Sequence, residues 1–365
     1  MSQKQFKDLK SAETRGALPK DERLAYPPMV SVVIPVRNEE RRIERCLKQV
    51  IEQTYPHDHL EVLVADGMST DGTRGIVAEI AAKAMKERGL AVYLVDNPGF
   101  RPQPGMNAGI RAARGDVIVR IDARTIAPPD YVERCVRTLI ETGADNVGGL
   151  QTPNAESVTQ EAIGLAITHR FGVGNAQFRI GTHNGYVDTV WLGCFRRDIF
   201  DRVGMFDETS FAISEDSDIN QRIRAAGGKV YLDTSIGGRY LPRETFRGFW
   251  AQYFLYGLVR AGNILKHKKL TSWRQVIPQG FVVGLATLAL LAPWSWVARR
   301  ILELAVAIYV AADCAVAAWL VAKRKRPGLF LRLLIAFPCM HFAYALGFFR
   351  RFTIWAEPGQ HWEED

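Results

Sequence analysis

At 365 residues with 47% hydrophobic composition, the chain can bury a full core as one large domain or two of ordinary size. Five cysteines, Cys46, Cys135, Cys194, Cys314 and Cys339, form no CxxC or Cys/His cluster, which argues against a zinc site or a disulfide framework and suits a reduced, cytoplasmic catalytic part. The formal net charge of +8 favours anionic partners, whether nucleotides, nucleic acid or an anionic membrane face, without choosing among them.

Residues 1–29 are polar, lack the apolar core of a signal peptide, and are expected to form a mobile lead-in. Residues 30 to 36, VSVVIPV, then read as a strand buried on both faces. The helix after it turns Ile43, Leu47, Val50 and Ile51 toward the sheet. LEVLVADG is a second strand, TDGTRGIVAEIAAKAMKERG a second helix, LAVYLVDN a third strand, and PGMNAGIRAARG a short helix before the strand DVIVRIDA. This alternation predicts an α/β domain with a doubly wound, mostly parallel sheet, whose ligands sit outside the carboxyl ends of the strands. The residues at those ends are Pro35, Arg37 and Glu39, then Asp66, then Asp122. The turn PVRNEE has no glycine and the chain has no GxxxxGK[ST], so neither a dinucleotide fingerprint nor a P-loop is present. What remains is a set of acids able to hold a base, a ribose and, through a cation, a diphosphate. Two residues after Asp122, where a second carboxylate would complete a metal clamp, stands Arg124.

Further on, SEDSDINQRIRAAG places Glu215, Asp216 and Asp218 at the start of an amphipathic helix, where free backbone N–H groups and the helix dipole favour ionised acids. Arg222 and Arg224 follow within one to two turns and are suited to clamping a diphosphate. In RETFRGFWAQYFLYGLVR, aromatic residues alternate with Arg247, Gln252 and Arg260; such a stretch can lie on a membrane interface, close over a donor, stack on sugars, or simply pack. Three apolar runs come next, IPQGFVVGLATLALLAPWSWVA, ILELAVAIYVAADCAVAAWLVA and GLFLRLLIAFPCMHFAYALGFF. Each is about the roughly 20 residues a helix needs to cross a bilayer. Lys266, Lys268, Lys269 and Arg274 before the first run, and KRKR after the second, place those flanks in the cytoplasm, while Trp294, Trp296 and Trp355 suit the interfacial belt. Core helices of a soluble domain are the alternative, given Glu303, Asp313 and Arg332 inside the runs. Pro293 and Pro338 break regular helix and leave room for a re-entrant run. The expected organisation is thus a catalytic domain over 30–245, an amphipathic interface segment over 246–276, a membrane region of about three helices over 277–350, and a tail over 351–365.

Five stretches in fixed order, VSVVIPVRNEERRIERCL, LVADGMSTDGT, GMNAGIRAARGDVIVRIDAR, GCFRRDIFDRVGMFDE and SEDSDINQRIRAAG, resemble the family 2 inverting glycosyltransferases of the GT-A fold. The resemblance covers residues 30 to about 260. VDTVWLGCFRRDIF and RGFWAQYFLYG, followed by apolar segments, resemble more narrowly the succinoglycan-type glucosyltransferases of bacterial exopolysaccharide assembly. The resemblance implies donor-binding roles for Pro35, Arg37, Glu39, Asn107, Asp122 and Arg124. It implies that Asp66 receives the imino hydrogen of a uracil-type base, although a turn role in ADGMSTDGT stays open, as helix capping does for Asp71. Asp122 would anchor a divalent cation, Mg or Mn, with Arg124 replacing the usual second acid; the alternative for Arg124 is a solvent-facing arginine. Asp216 would be the general base, with Glu215 its neighbour, and Trp250, Gln252, Tyr253 and Tyr256 would face the acceptor or gate the donor. The QxxRW signature of processive members is missing, which favours addition of one sugar per encounter.

The implied protein is a membrane-bound enzyme of the bacterial inner membrane, its catalytic domain facing the cytoplasm. It would transfer a sugar, glucose above all, from a UDP-sugar to a lipid-linked saccharide, a polyprenyl diphosphate saccharide being the consistent acceptor. Membrane lipids and other polysaccharide-assembly proteins would be partners, and nucleic acid would not. Transfer to polyprenyl phosphate or a glycolipid is the enzymatic alternative; an inactive nucleotide-sugar-binding scaffold is the other.

Overall fold

The computed structural model describes residues 24–208, 215–268 and 276–353. The expected lead-in through residue 23, Lys269, Arg274 and Trp355 lie outside the described residues. In chain order, β1 Val30–Val36, α1 Ile43–Ile51, β2 Leu60–Asp66, α2 Thr73–Arg88, β3 Ala91–Asp96, α3 Pro102–Ala112 and β4 Val117–Arg120 form the alternating half. Next come β5 Thr125–Ile126, α4 Tyr131–Thr142, β6 Asn146–Pro153, α5 Val158–Thr168, α6 Arg170–Val173, α7 Gln177–Ile180, β7 Gly185–Tyr186, β8 Trp191–Arg196 and α8 Ile199–Val203. The chain ends with α9 Glu215–Ala225, β9 Val230–Tyr240, α10 Phe246–His267, α11 Ile277–Leu291, α12 Trp296–Arg324 and α13 Phe330–Thr353.

The strands make one sheet in the order β3-β2-β1-β4-β8-β6-β9-β5, with β7 pairing β9. β3, β2, β1 and β4 are parallel, as the continuous β-branched runs predict. At β8 the sheet changes direction, because β8 runs antiparallel to both β4 and β6 while β6 and β9 are parallel again. The sheet is therefore mostly parallel by register, and the change falls beside the end of β4, where Asp122 leaves it. α1 buries Ile43, Cys46, Leu47 and Val50 against one face of the sheet, the spacing expected of a helix with one apolar stripe. α3, α8 and α9 pack their apolar residues on the other face.

A third core joins α5 and α10 to α12 and α13, so the C-terminal helices continue the catalytic domain's packing. α10 and α13 cross at small residues: a Cβ on Gly257 would lie 1.9 Å from the Tyr344 carbonyl oxygen, and one on Gly347 1.8 Å from that of Phe254. Glycines let two helix backbones approach this closely. The middle of α10, within the segment expected to be an amphipathic interface segment, is packed against α13. Two helices, Trp296–Arg324 and Pro327–Thr353, are long and apolar enough to cross a membrane. The first expected run is shorter: α11 has 15 residues, about 22 Å at 1.5 Å per residue, against a hydrocarbon core of about 30 Å. Pro293 ends that run, whereas Pro338 sits inside the unbroken α13. The region expected to hold about three helices contains α11, α12 and α13, of which two reach spanning length among the described residues.

Candidate active site

The carboxyl ends of β1 and β2 meet in a tightly bonded turn. Asp66 is fully buried there; its Oδ2 accepts from the Ser69 N–H at 3.0 Å and Arg74 Nη1 at 2.8 Å, and its Oδ1 accepts from the Ser69 hydroxyl. Arg74 also reaches Asp96 at the end of β3. The turn role is therefore present, and any contact with a base is made by a carboxylate already held in place. Asp71 Oδ1 accepts from the Thr73 N–H and hydroxyl, and its Oδ2 from the Glu40 N–H, which fastens the start of α2 to the loop after β1. Burial works to raise the Asp71 pKa, yet these hydrogen bonds hold it below the usual value. Pro35 is half-buried near the end of β1, and the exposed Arg37 lies over the Phe100 ring. Glu39 accepts from Arg124 Nε at 3.0 Å and from Arg42. Arg124 is thus ion-paired across the mouth of the cleft to a second residue of the expected donor set.

The centre of the site is an arginine that motif reading passes over. Arg120, the last residue of β4, has a side chain only 5% exposed. Its Nε and Nη2 donate to both oxygens of Asp122, at 2.7 and 3.3 Å, while Nη1 reaches Glu215 at 2.7 Å and Asp216 Oδ1 at 2.9 Å. Burial alone would lower the Arg120 pKa, but the surrounding acids outweigh it and keep the guanidinium charged. The acids are more open than the arginine, with Asp122 34% and Asp216 21% exposed. Burial pushes the Asp216 carboxyl up, helped by Glu215 and Asp122 and opposed by Arg120 and the Leu192 N–H, to about 8. That N–H is aimed by a local kink: Leu192 has φ of 63° in the left-handed region, followed by Gly193 at 125°, and these two residues of β8 bulge opposite the single Gly148 of β6. A buried leucine held in that conformation is strained, and such strain clusters at functional sites.

The third acid at the start of α9 goes elsewhere. Asp218 is buried and accepts from Arg222 Nε and from Lys266 Nζ on α10 at 2.8 Å. Arg222 also donates to the Val203 and Gly204 carbonyls, so it fastens α9 to the end of α8 rather than reaching toward a diphosphate; Arg224 is exposed. Asn107 likewise acts across the fold, giving and taking hydrogen bonds with the backbone of Phe206 and donating to Glu208. α10 lies over this region, with Arg260 donating to Ser217 at 3.1 Å beside the lysine contact. The four expected acceptor residues on α10 divide. Gln252 donates to the hydroxyls of Tyr240 and Tyr256, and Tyr253 accepts from Arg179, whereas Trp250 faces a groove with Phe246, Pro338 and Phe342. Tyr240, which receives the Gln252 amide, pairs with Thr125 on β5.

Among the described residues, no three His, Cys, Asp or Glu side chains are disposed to hold a cation by themselves. The acid cluster nevertheless suits one brought with a substrate phosphate. Asp122, Glu215 and Asp216 share one arginine. The surplus negative charge and the open edge of Asp122 match what a magnesium-type ion takes from protein.

The sequence pattern described as glycosyl transferase family 2 matches residues 31–204. The chain is 32% identical to the succinoglycan biosynthesis protein ExoA of Rhizobium meliloti over 87% of its own length and 93% of that protein's. The chain belongs to glycosyl transferase family 2. It is also 24% identical, over 88% of its length and 96% of the relative's, to a dolichyl N-acetyl-α-D-glucosaminyl phosphate 3-β-D-2,3-diacetamido-2,3-dideoxy-β-D-glucuronosyltransferase of Methanococcus voltae. Among solved structures, a mannosyltransferase of Pyrobaculum calidifontis in complex with GDP-Man and Mn2+ superposes with a TM-score of 0.58 at 21% identity, covering 91% of this chain and 92% of its own, which shows the shared GT-A fold. This family 2 member is a glycosyltransferase with a GT-A catalytic domain followed by apolar helices of membrane-spanning length.

Proposed function

We propose that this enzyme transfers one sugar, glucose, from a UDP-sugar to a lipid-linked saccharide with inversion, at the cytoplasmic face of a bacterial inner membrane, in exopolysaccharide or cell-surface glycan synthesis. The observation that carries the reading is the meeting of Asp122, Glu215 and Asp216 at one buried arginine where the parallel half of the sheet ends. Asp216 acts as general base: it takes the proton of the acceptor hydroxyl as that oxygen bonds to the anomeric carbon. The bond from that carbon to the UDP oxygen breaks on the opposite face. A carboxylate held by Arg120 and the Leu192 N–H and still 21% exposed can do this. Asp66 receives the base, and Arg37, Glu39 and Arg124 line the phosphate side. A divalent cation would be held by Asp122 and, when bound, would offset charge on the leaving diphosphate.

The acceptor class is supported by the crossing of α10 and α13, which joins the acid cluster to the apolar helices, and by the dolichyl-linked saccharide named for the M. voltae relative. The test is a screen of nucleotide sugars with the full chain in phospholipid nanodiscs. It reads released nucleoside diphosphate with and without Mg or Mn, followed by lipid extraction. Label in a lipid-linked oligosaccharide supports the reading. Label on polyprenyl phosphate alone assigns the simpler acceptor, and tight UDP binding without turnover on any donor assigns a scaffold.

A further inference from the structure

We propose that Arg120 is a positioning residue, its guanidinium setting the distance between the base Asp216 and the donor-side acid Asp122. The inference rests on the reading of Asp216 as the base.

A guanidinium is a planar fork with donors on two edges, so it can fix two carboxylates in one plane, which a lysine ammonium cannot do. Arg120 is used in this way. The edge formed by Nε and Nη2 takes both oxygens of Asp122, and Nη1 takes Glu215 and Asp216 on α9. The arginine is itself anchored, since it pairs with Val33 in the middle of the sheet and the next N–H, of Ile121, bonds the Val33 carbonyl at 3.1 Å. Asp122 follows β4 directly, whereas Asp216 arrives 96 residues after Arg120 on a separate helix. A rigid bridge between them converts two independently placed acids into one unit.

The order of burial separates this from a cluster that only stabilises. Around Asp66 the acid is buried and Arg74 covers it from outside. Around Arg120 the cation is innermost, 5% exposed, while Asp122, Asp216 and Glu215 are 34%, 21% and 10% exposed. A cation placed behind its acids orients them while leaving lone pairs for substrate. The contact from Arg120 and the Leu192 N–H together leave Asp216 little freedom to turn.

The experiment compares Arg120→Lys and Arg120→Ala with wild type as full-length protein in nanodiscs, using the donor found in the screen, with UDP binding and thermal unfolding measured alongside. Arg120→Lys is expected to bind UDP and unfold like wild type while kcat falls about a hundredfold and donor KM stays within about threefold, the scale of loss expected when a reacting group is displaced by about 1 Å. Guanidinium chloride below denaturing concentration is expected to restore Arg120→Ala at least in part, and methylammonium is not. A lysine variant with near wild-type kcat overturns the proposal. So does a loss of UDP binding and thermal stability in step with kcat, or a failure to fold, that guanidinium leaves unchanged. An Asp216→Asn control keeps the two readings apart: if it turns over normally the base assignment fails, and if only the Arg120 variants are normal the positioning role alone fails.

Discussion

At the end of β2 the acid lies inside and the arginine outside: Asp66 is sealed beneath Arg74, with its partners drawn from the adjoining turn and the first turn of α2. At the end of β4 the arrangement is reversed, with Arg120 inside and Asp122, Glu215 and Asp216 around its open side. The first cluster is enclosed, with Asp66 accepting from the Ser69 N–H, the Ser69 hydroxyl and Arg74, so it holds a loop in shape. In the second, the acids are more exposed than the arginine, so they can take up a proton, a cation or a substrate hydroxyl. Identical residue types thus differ in which charge is desolvated, the acid in one cluster and the arginine in the other.

The largest break in that comparison would come from Asp216→Asn, for which kcat should fall about 10²- to 10⁴-fold, the usual contribution of a general base, without loss of thermal stability. Retained turnover would make the two clusters equivalent. Asp66→Asn should act the other way and cost about 1–3 kcal/mol of stability in denaturant unfolding, because a buried hydrogen-bonded anion is lost. An unchanged unfolding midpoint would show that the β2 cluster does not hold its loop.

The raised Asp216 pKa gives a third contrast. A base must be ionised, so kcat/KM should climb with pH and level off above about 8. The sign for stability is opposite. Between the ordinary carboxylate pKa near 4 and about 8, the folded protein holds a proton that the unfolded chain has released, so stability should fall as pH rises through that window. Unfolding of Asp216→Asn should lack that slope, and a wild-type slope retained in the variant would assign it to another group. The smallest effect is expected from Asp122→Asn, whose stability cost should be below that of Asp66→Asn because Arg120 keeps two other acids; a larger cost would reverse the assignment of the two clusters.

The parallel half of the sheet was legible in the sequence because a doubly buried strand must be a continuous apolar run, and VSVVIPV and LEVLVAD have no polar face. The strand-end acids were legible for the same reason. The direction change at β8 was not, since WLGCFR carries nothing that tells an antiparallel neighbour from a parallel one. Nor could spacing divide the acids at the start of α9: Asp216 and Asp218 are two residues apart, yet one faces Arg120 and the other Lys266 and Arg222. Trp250 and Gln252 part in the same way, one to the groove on α13 and one to Tyr240. The apolar runs were evident, whereas their lengths as helices depended on Pro293 stopping one and Pro338 being carried within another.

Local order along the chain therefore determined the strands, the family pattern, the acids and the apolar character of the C-terminal helices, because each depends on neighbours a few residues away. Only the tertiary structure decided that Arg120 lies beneath those acids and that α10 packs on α13. The burial of a charge depends on what the rest of the fold brings over it, and the Asp216 and Lys266 contacts come from segments 96 and 48 residues distant.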